Sequence, residues 1–211
     1  MKKLESTFSN MVIVLVAVAV ITGGILAWCN QVTKTPIEEQ AKLTLANGIK
    51  DVMGVADLRV LSSDSVKQNI GGKDFEFVVH QTADASDRSL GAAVESTVGG
   101  FGGDLKVLVG FSTEGQVLGY TILQTAETPG LGAKADKWFQ KDGKGCIVGK
   151  QMSADNPLTV SKDGGDIDAI TASTITSRAF LKAVNQAYSA YSGKQTDGQS
   201  GATVQHKGGE E

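Results

Sequence analysis

The 211-residue chain holds only two cysteines, two histidines and three prolines. Cys29 closes an apolar run and Cys146 lies far downstream, so no disulfide framework is implied. His80 and His206 are too few and too scattered to hold zinc or haem, and His80, following FEFVV, reads as a strand-end residue rather than a ligand. No metal site is expected, so any redox chemistry falls to an organic cofactor. A net charge of −3 gives no electrostatic reason to expect nucleic acid. The 26 glycines follow no Gly-X-Y period, which excludes a collagen-like chain and leaves tight turns and close backbone approaches.

What the chain does have is MVIVLVAVAVITGGILAWC at 11–29, without one charged side chain. At the helical rise it spans roughly 28 Å, close to the hydrocarbon core of a bilayer. Lys2 and Lys3 precede it and Trp28 stands at its far end. That arrangement places residues 1–10 in the cytoplasm and the chain after residue 30 outside. Ala17-Val18-Ala19 imitates a cleavage site, but the apolar run continues ten residues beyond it, too far for a signal peptide. Lipidation at Cys29 is disfavoured by the bulky Trp28 before it. The reading is an uncleaved single-pass anchor at 11–29, ahead of a domain at 30–192.

After the anchor, Thr35, Pro36 and Glu38 form a helix-capping signature, with Ile37, Ala41, Leu45, Ile49 and Val52 at helical spacing and Gly54 as the stop. Alternation of Phe75, Phe77 and Val79 predicts a strand, as does that of Leu105, Val107, Val109 and Phe111. VLGYTIL follows after TEG, a hairpin signal in which Gly115 takes positive φ, so these last two strands are antiparallel. VGGFGG at 98–103 leads into a strand rather than from strand to helix, so it is not a phosphate loop. ADKWFQ at 135–140 reads as a short helix, and a longer one runs from about Thr174 to Tyr191. The segment 193–211 carries only Ala202 and Val204 as apolar side chains and is expected to be a disordered tail. The fold class is α+β, an antiparallel sheet with flanking helices behind one transmembrane helix.

Two threonines stand out. In DIDAITAST, Asp168 precedes Thr174 by six positions and Thr171 precedes it by three; in DGQSGAT, Asp197, Ser200 and Thr203 repeat that spacing. Thr174 meets a helix start, where unpaired N–H groups and the helix dipole favour an anion. Thr171, Ser173, Thr176 and Ser177 add hydroxyls, although a hydroxyl-rich helix cap alone would read the same way.

ETPGLG at 127–132, GGFGGDLKVLVGF, MKKLESTF with its apolar span, and ITASTITSRAF occur in an order that resembles the FMN-binding domain family found in RnfG, the G subunit of Rnf ion-translocating electron transport complexes. The related C subunit of sodium-translocating NADH:quinone reductase shares the fold. The resemblance reaches from residue 1 to about 192. It implies FMN joined as a phosphoester to a threonine in a pattern like Asp-x-x-Ser/Thr-Gly-Ala-Thr, made by a separate flavin transferase from FAD. Carried over, Asp168 is the transferase recognition residue, Thr171 matches, and Thr174 is the attachment site, with Ala172 and Ser173 replacing the Gly-Ala pair. Thr203 fits the short pattern literally and is the alternative, but it lacks a preceding strand, a following helix and apolar neighbours such as Ile167, Ile170 and Ile175. Glu127, Thr128, Pro129, Gly130, Leu131 and Gly132 would line the cofactor, with Thr171, Ser173 and Thr176 beside the phosphate.

The implied function is electron transfer through covalent FMN in a complex of the ferredoxin/NAD type that moves ions across the bacterial cytoplasmic membrane. One membrane span cannot move ions alone, so the other Rnf-type subunits are partners and no independent catalysis is expected. The alternatives are the C subunit of the quinone reductase, a non-redox membrane-anchored binding module, and a free-standing flavin reductase.

Overall fold

The computed structural model describes residues 7–70 and 72–193. Lys2, Lys3, Thr203 and the predicted tail beyond Gly193 lie outside the described residues. The chain divides into two compact units, Met1–Leu45 and Ala46–Glu211.

Helix α1 (Phe8–Met53) is long and apolar enough to cross a membrane. Thr22 donates its hydroxyl to the Val18 carbonyl at 2.7 Å and Thr33 to Cys29 at 2.8 Å, so hydroxyls in and just beyond the apolar run are satisfied by the helix itself. The expected helix start at Thr35–Pro36 is not there: α1 continues through Pro36 without a break. A proline inside a helix removes one N–H and crowds the preceding turn. Residues 30–44 are exposed throughout, so no packed neighbour opposes the adjustment. Of the expected apolar stripe, Ile37 and Ala41 are exposed, Leu45 is half-buried, and only Ile49 and Val52 enter a core. Gly54, at φ 68, ends the helix as expected, its N–H donating to Lys50 at 2.9 Å.

In the second unit, β1 (Arg59–Ile70), β2 (Lys73–Ala83), β3 (Ser89–Gly99), β4 (Asp104–Ser112) and β5 (Val117–Thr125) form one antiparallel sheet in sequential order. Gly115 takes φ 83 in the β4–β5 turn, as the TEG signal predicts. Helices α2 (Ala135–Trp138) and α3 (Thr174–Ser192) follow. Phe77, Val94, Val107 and Val109 on one sheet face join Phe180, Ala183 and Val184 of α3 in a single core. Phe139 stacks on Phe180 with ring centroids 4.3 Å apart, and Tyr120 meets the same ring edge-on at 4.7 Å. The Tyr120 hydroxyl donates to the Ala135 carbonyl at 2.6 Å and accepts from the Phe139 N–H at 3.2 Å, which ties α2 to β5. Burial raises that phenol's pKa, so it stays a donor.

The opposite sheet face receives the last turns of α1. Gly110 and Gly119 are cross-strand partners, and a Cβ on either would come within 2.6 Å and 2.9 Å of the Val52 carbonyl. Two glycines side by side therefore let a helix end lie almost on the strands. The same face carries a buried polar group: His80 sets Nε2 2.8 Å from Glu95 Oε1, Nδ1 2.8 Å from Ser63 Oγ, and Lys106 Nζ lies 2.5 Å from Glu95 Oε2. His80 is thus an interior residue of β2, not a strand end, and it bonds a carboxylate across the strands.

Candidate functional site

The site begins where two segments without regular structure run against the start of α3. Trp138 Nε1 donates to the Asp168 carbonyl at 2.7 Å, which draws the DIDAI stretch against α2. Ile167 and Ile170 then turn inward to the core, each about 1% exposed, rather than walling the hydroxyl cluster. The chain reverses through Ala172, whose φ of 62 is left-handed. Ser177 fixes the reversal by accepting from the Ile170 N–H at 2.9 Å and donating to the Ser173 carbonyl at 2.9 Å.

Helix α3 opens at Thr174, with Ser173 as N-cap residue, and the Ser173 side chain makes no hydrogen bond to the first turn. The hydroxyl cap that the sequence allowed is therefore not formed by that residue. Thr174 is half-buried, and its Oγ1 accepts from Lys162 Nζ at 3.2 Å.

Glu127 links three parts of the site. Its Oε1 accepts the Phe101 N–H at 2.7 Å and its Oε2 accepts the Thr176 hydroxyl at 2.9 Å. The side chain is buried, 7% exposed, so both oxygens are taken up by the protein. The carboxylate thus ties the GGFGG loop, its own loop and α3 together. Glycines are needed around it: a Cβ on Gly100 or Gly132 would collide with the carboxylate, and one on Gly102 with the Ala126 carbonyl.

The result is a cavity of about 320 Å³ lined by Phe101, Glu127, Thr128, Leu131, Gly132 and residues 172–176. Its size falls at the lower end of small-molecule sites. Phe101, Leu131 and Ile175 are exposed by 69%, 41% and 55%, and all three line it. Apolar side chains left uncovered around one concave surface, with hydroxyls at its base, suit a flat aromatic ligand bearing a polar end.

The sequence-derived residues divide here. Glu127, Thr128, Leu131, Gly132, Ser173, Thr174 and Thr176 meet at this cavity. Pro129 and Gly130 line a neighbouring one of about 550 Å³ with Lys134, Lys137 and Trp138. A Cβ on Gly130 would meet open space, so its requirement is the turn, at φ 78. Thr171 and Asp168 are exposed and outside the cavity lining. Phe101 and Lys162 escaped the residue-by-residue reading. Phe101 had a signal, a lone aromatic among four glycines, whereas Lys162 had none.

Known proteins agree with this geometry. The FMN-binding domain family matches residues 100–189, and the RnfG N-terminal region matches residues 1–52. The chain is 34% identical over 180 residues to the ion-translocating oxidoreductase complex G subunit of Shewanella baltica (strain OS223), covering 80% of this chain and 82% of that protein. It is 33% identical over 171 residues to the corresponding G subunit of Escherichia coli (strain K12), covering 78% and 81%. That of Salmonella typhimurium is 34% identical over 178 residues, covering 78% and 81%. With an RnfG N-terminal region ahead of an FMN-binding domain and this similarity along most of its length, the chain belongs to the family of G subunits of ion-translocating oxidoreductase complexes.

Proposed function

We propose that the protein is the membrane-anchored electron-transfer subunit of an Rnf-type complex, holding FMN by a phosphoester on Thr174. The observation that carries this reading is the cavity joining Thr174 to three exposed apolar side chains, Phe101, Leu131 and Ile175. FMN fits that donor set: a phosphate at the hydroxyl end beside the uncapped first turn of α3, and a ring system against the apolar rim. When bound, the flavin supplies the electron chemistry. Thr174 anchors it, Glu127 holds the loops around it, and Phe101, Leu131 and Ile175 shield it from water.

The names of the relatives support the ion-translocating type over the quinone-reductase relative. Electrons pass through the flavin between other subunits, ferredoxin and NAD being the end partners, and the chain does no independent catalysis. A flavin transferase matures it, with Asp168 as its recognition residue. The domain lies outside the cytoplasmic membrane, as Lys2 and Lys3 ahead of the apolar run suggest. Denaturing-gel fluorescence of protein matured with its transferase tests the attachment. Thr174→Ala is expected dark and Thr203→Ala bright, and the reverse pattern would refute the assignment. Visible absorption near about 450 nm separates a flavoprotein from a non-redox binding module, because the isoalloxazine chromophore belongs to the cofactor and not to the chain.

A further inference from the structure

We propose that Lys162 prepares Thr174 for flavin transfer and then neutralises the phosphodiester formed there, an assignment that rests on Thr174 being the attachment residue. Ser161–Asp163 forms one 3-10 turn that Gly164 closes at φ 88, and this turn carries Lys162 back over the start of α3. Lys162 Nζ donates to Thr174 Oγ1 at 3.2 Å.

The placement is braced. Arg178 grips Asp163 at two points, Nε to Oδ2 at 2.7 Å and Nη2 to Oδ1 at 2.5 Å. Thr174 and Arg178 are four residues apart on one face of α3, and Lys162 and Asp163 are adjacent, so the two contacts hold turn and helix as a unit. The Ser161 N–H donates to the Ile167 carbonyl at 2.8 Å, which ties the turn to the segment leading into Thr174. The Arg178 charge is used by Asp163. Among the described residues, no carboxylate forms an ion pair with Lys162. Its ammonium keeps donors free for phosphate oxygens after one is spent on the threonine.

In the transfer, Thr174 Oγ bonds to the flavin-side phosphorus of FAD. The P–O bond to the adenylate half breaks, AMP leaves with the electron pair, and the hydroxyl proton passes to a base of the transferase. Negative charge builds on the attacking oxygen and the transferring phosphoryl oxygens, where a fixed cation stabilises it most. The product diester keeps one negative charge in the same place.

The test uses the full chain in detergent with its transferase and FAD, reading covalent flavin in denaturing gels and AMP release together. Lys162→Met is expected to slow labelling roughly tenfold or more, whereas Lys162→Arg, which keeps the charge, stays within about threefold of wild type. Lys162 is exposed, so both variants should unfold at the wild-type midpoint. The phosphorus NMR resonance of the matured diester should move in Lys162→Met, a change that a merely structural role would not produce. Wild-type labelling rates and an unmoved resonance in Lys162→Met would overturn the proposal while leaving Thr174 as the site. Undiminished labelling of Thr174→Ala would overturn the attachment and the role of Lys162 with it.

Discussion

At Ala172 a β-carbon occupies a left-handed backbone position, φ 62, where the resembling pattern has glycine. The left-handed region costs a non-glycine residue about 1–2 kcal/mol, partly offset by the greater unfolded-state freedom of glycine. Ala172→Gly is therefore expected to raise stability by about 1 kcal/mol in urea unfolding, with flavin labelling retained. Loss of stability would mean that the turn does not need the left-handed conformation. The departure from pattern was visible in the sequence, but its backbone meaning was not, because φ is set by the reversal between Ile170 and Ser177. Glu127 makes a second case. The sequence marked it as a cofactor contact, yet three of its hydrogen bonds close within the protein, to Phe101, Gly102 and Thr176, at 2.7, 3.4 and 2.9 Å. Glu127→Ala leaves those partners unpaired in a buried setting and is expected to cost about 2–4 kcal/mol. Glu127→Gln, which keeps an acceptor and the shape, should lose less than half of that by the same denaturant titration.

Among the elements, β2, β4, β5, α2 and α3 were legible because each buries one face against α3 or the sheet, and the period of burial shows in the period of apolar residues. The strands β1 and β3 were not. β1, RVLSSDSVKQNI, is an edge strand with most positions exposed, so it carries no apolar alternation and depends on its pairing with β2. β3, SLGAAVESTVG, is buried on both faces and holds Glu95, whose partners His80 and Lys106 come from neighbouring strands. Local sequence cannot show a cross-strand ion pair. The helix start expected at Pro36 failed for a related reason, since the capping letters were present but nothing forces a break in an exposed stretch. Helix α3 carries its own imperfection. The Gln186 amide is fully buried and neither its oxygen nor its nitrogen has a hydrogen-bond partner. Gln186→Leu is expected to stabilise the domain by about 1 kcal/mol, measured as a higher urea midpoint with unchanged slope. A loss would indicate that the amide holds an ordered water.

For the whole molecule, acid stability follows from Glu95. Burial pushes its pKa up, but hydrogen bonds from His80 and Lys106 outweigh this and hold it below its ordinary 4.5. The unfolded chain therefore binds the proton first as pH falls, so this contribution is complete above about pH 4.5 and fades below it as the folded carboxylate protonates. Glu95→Gln should flatten that part of the stability profile, and an unchanged acid limb would contradict the assignment. Topology is tested in a background without Cys29 and Cys146. A cysteine replacing exposed Lys144 should react with an impermeant thiol reagent added outside intact cells, and labelling only from the cytoplasmic side would reverse the orientation. The central claim concerns Thr174, and peptide mass spectrometry of the chain matured with its transferase reaches it most directly. The expected result is an FMN phosphoester on the peptide containing Thr174 and none on the peptide containing Thr203. FMN on Thr203, or flavin bound with neither peptide modified, would contradict it.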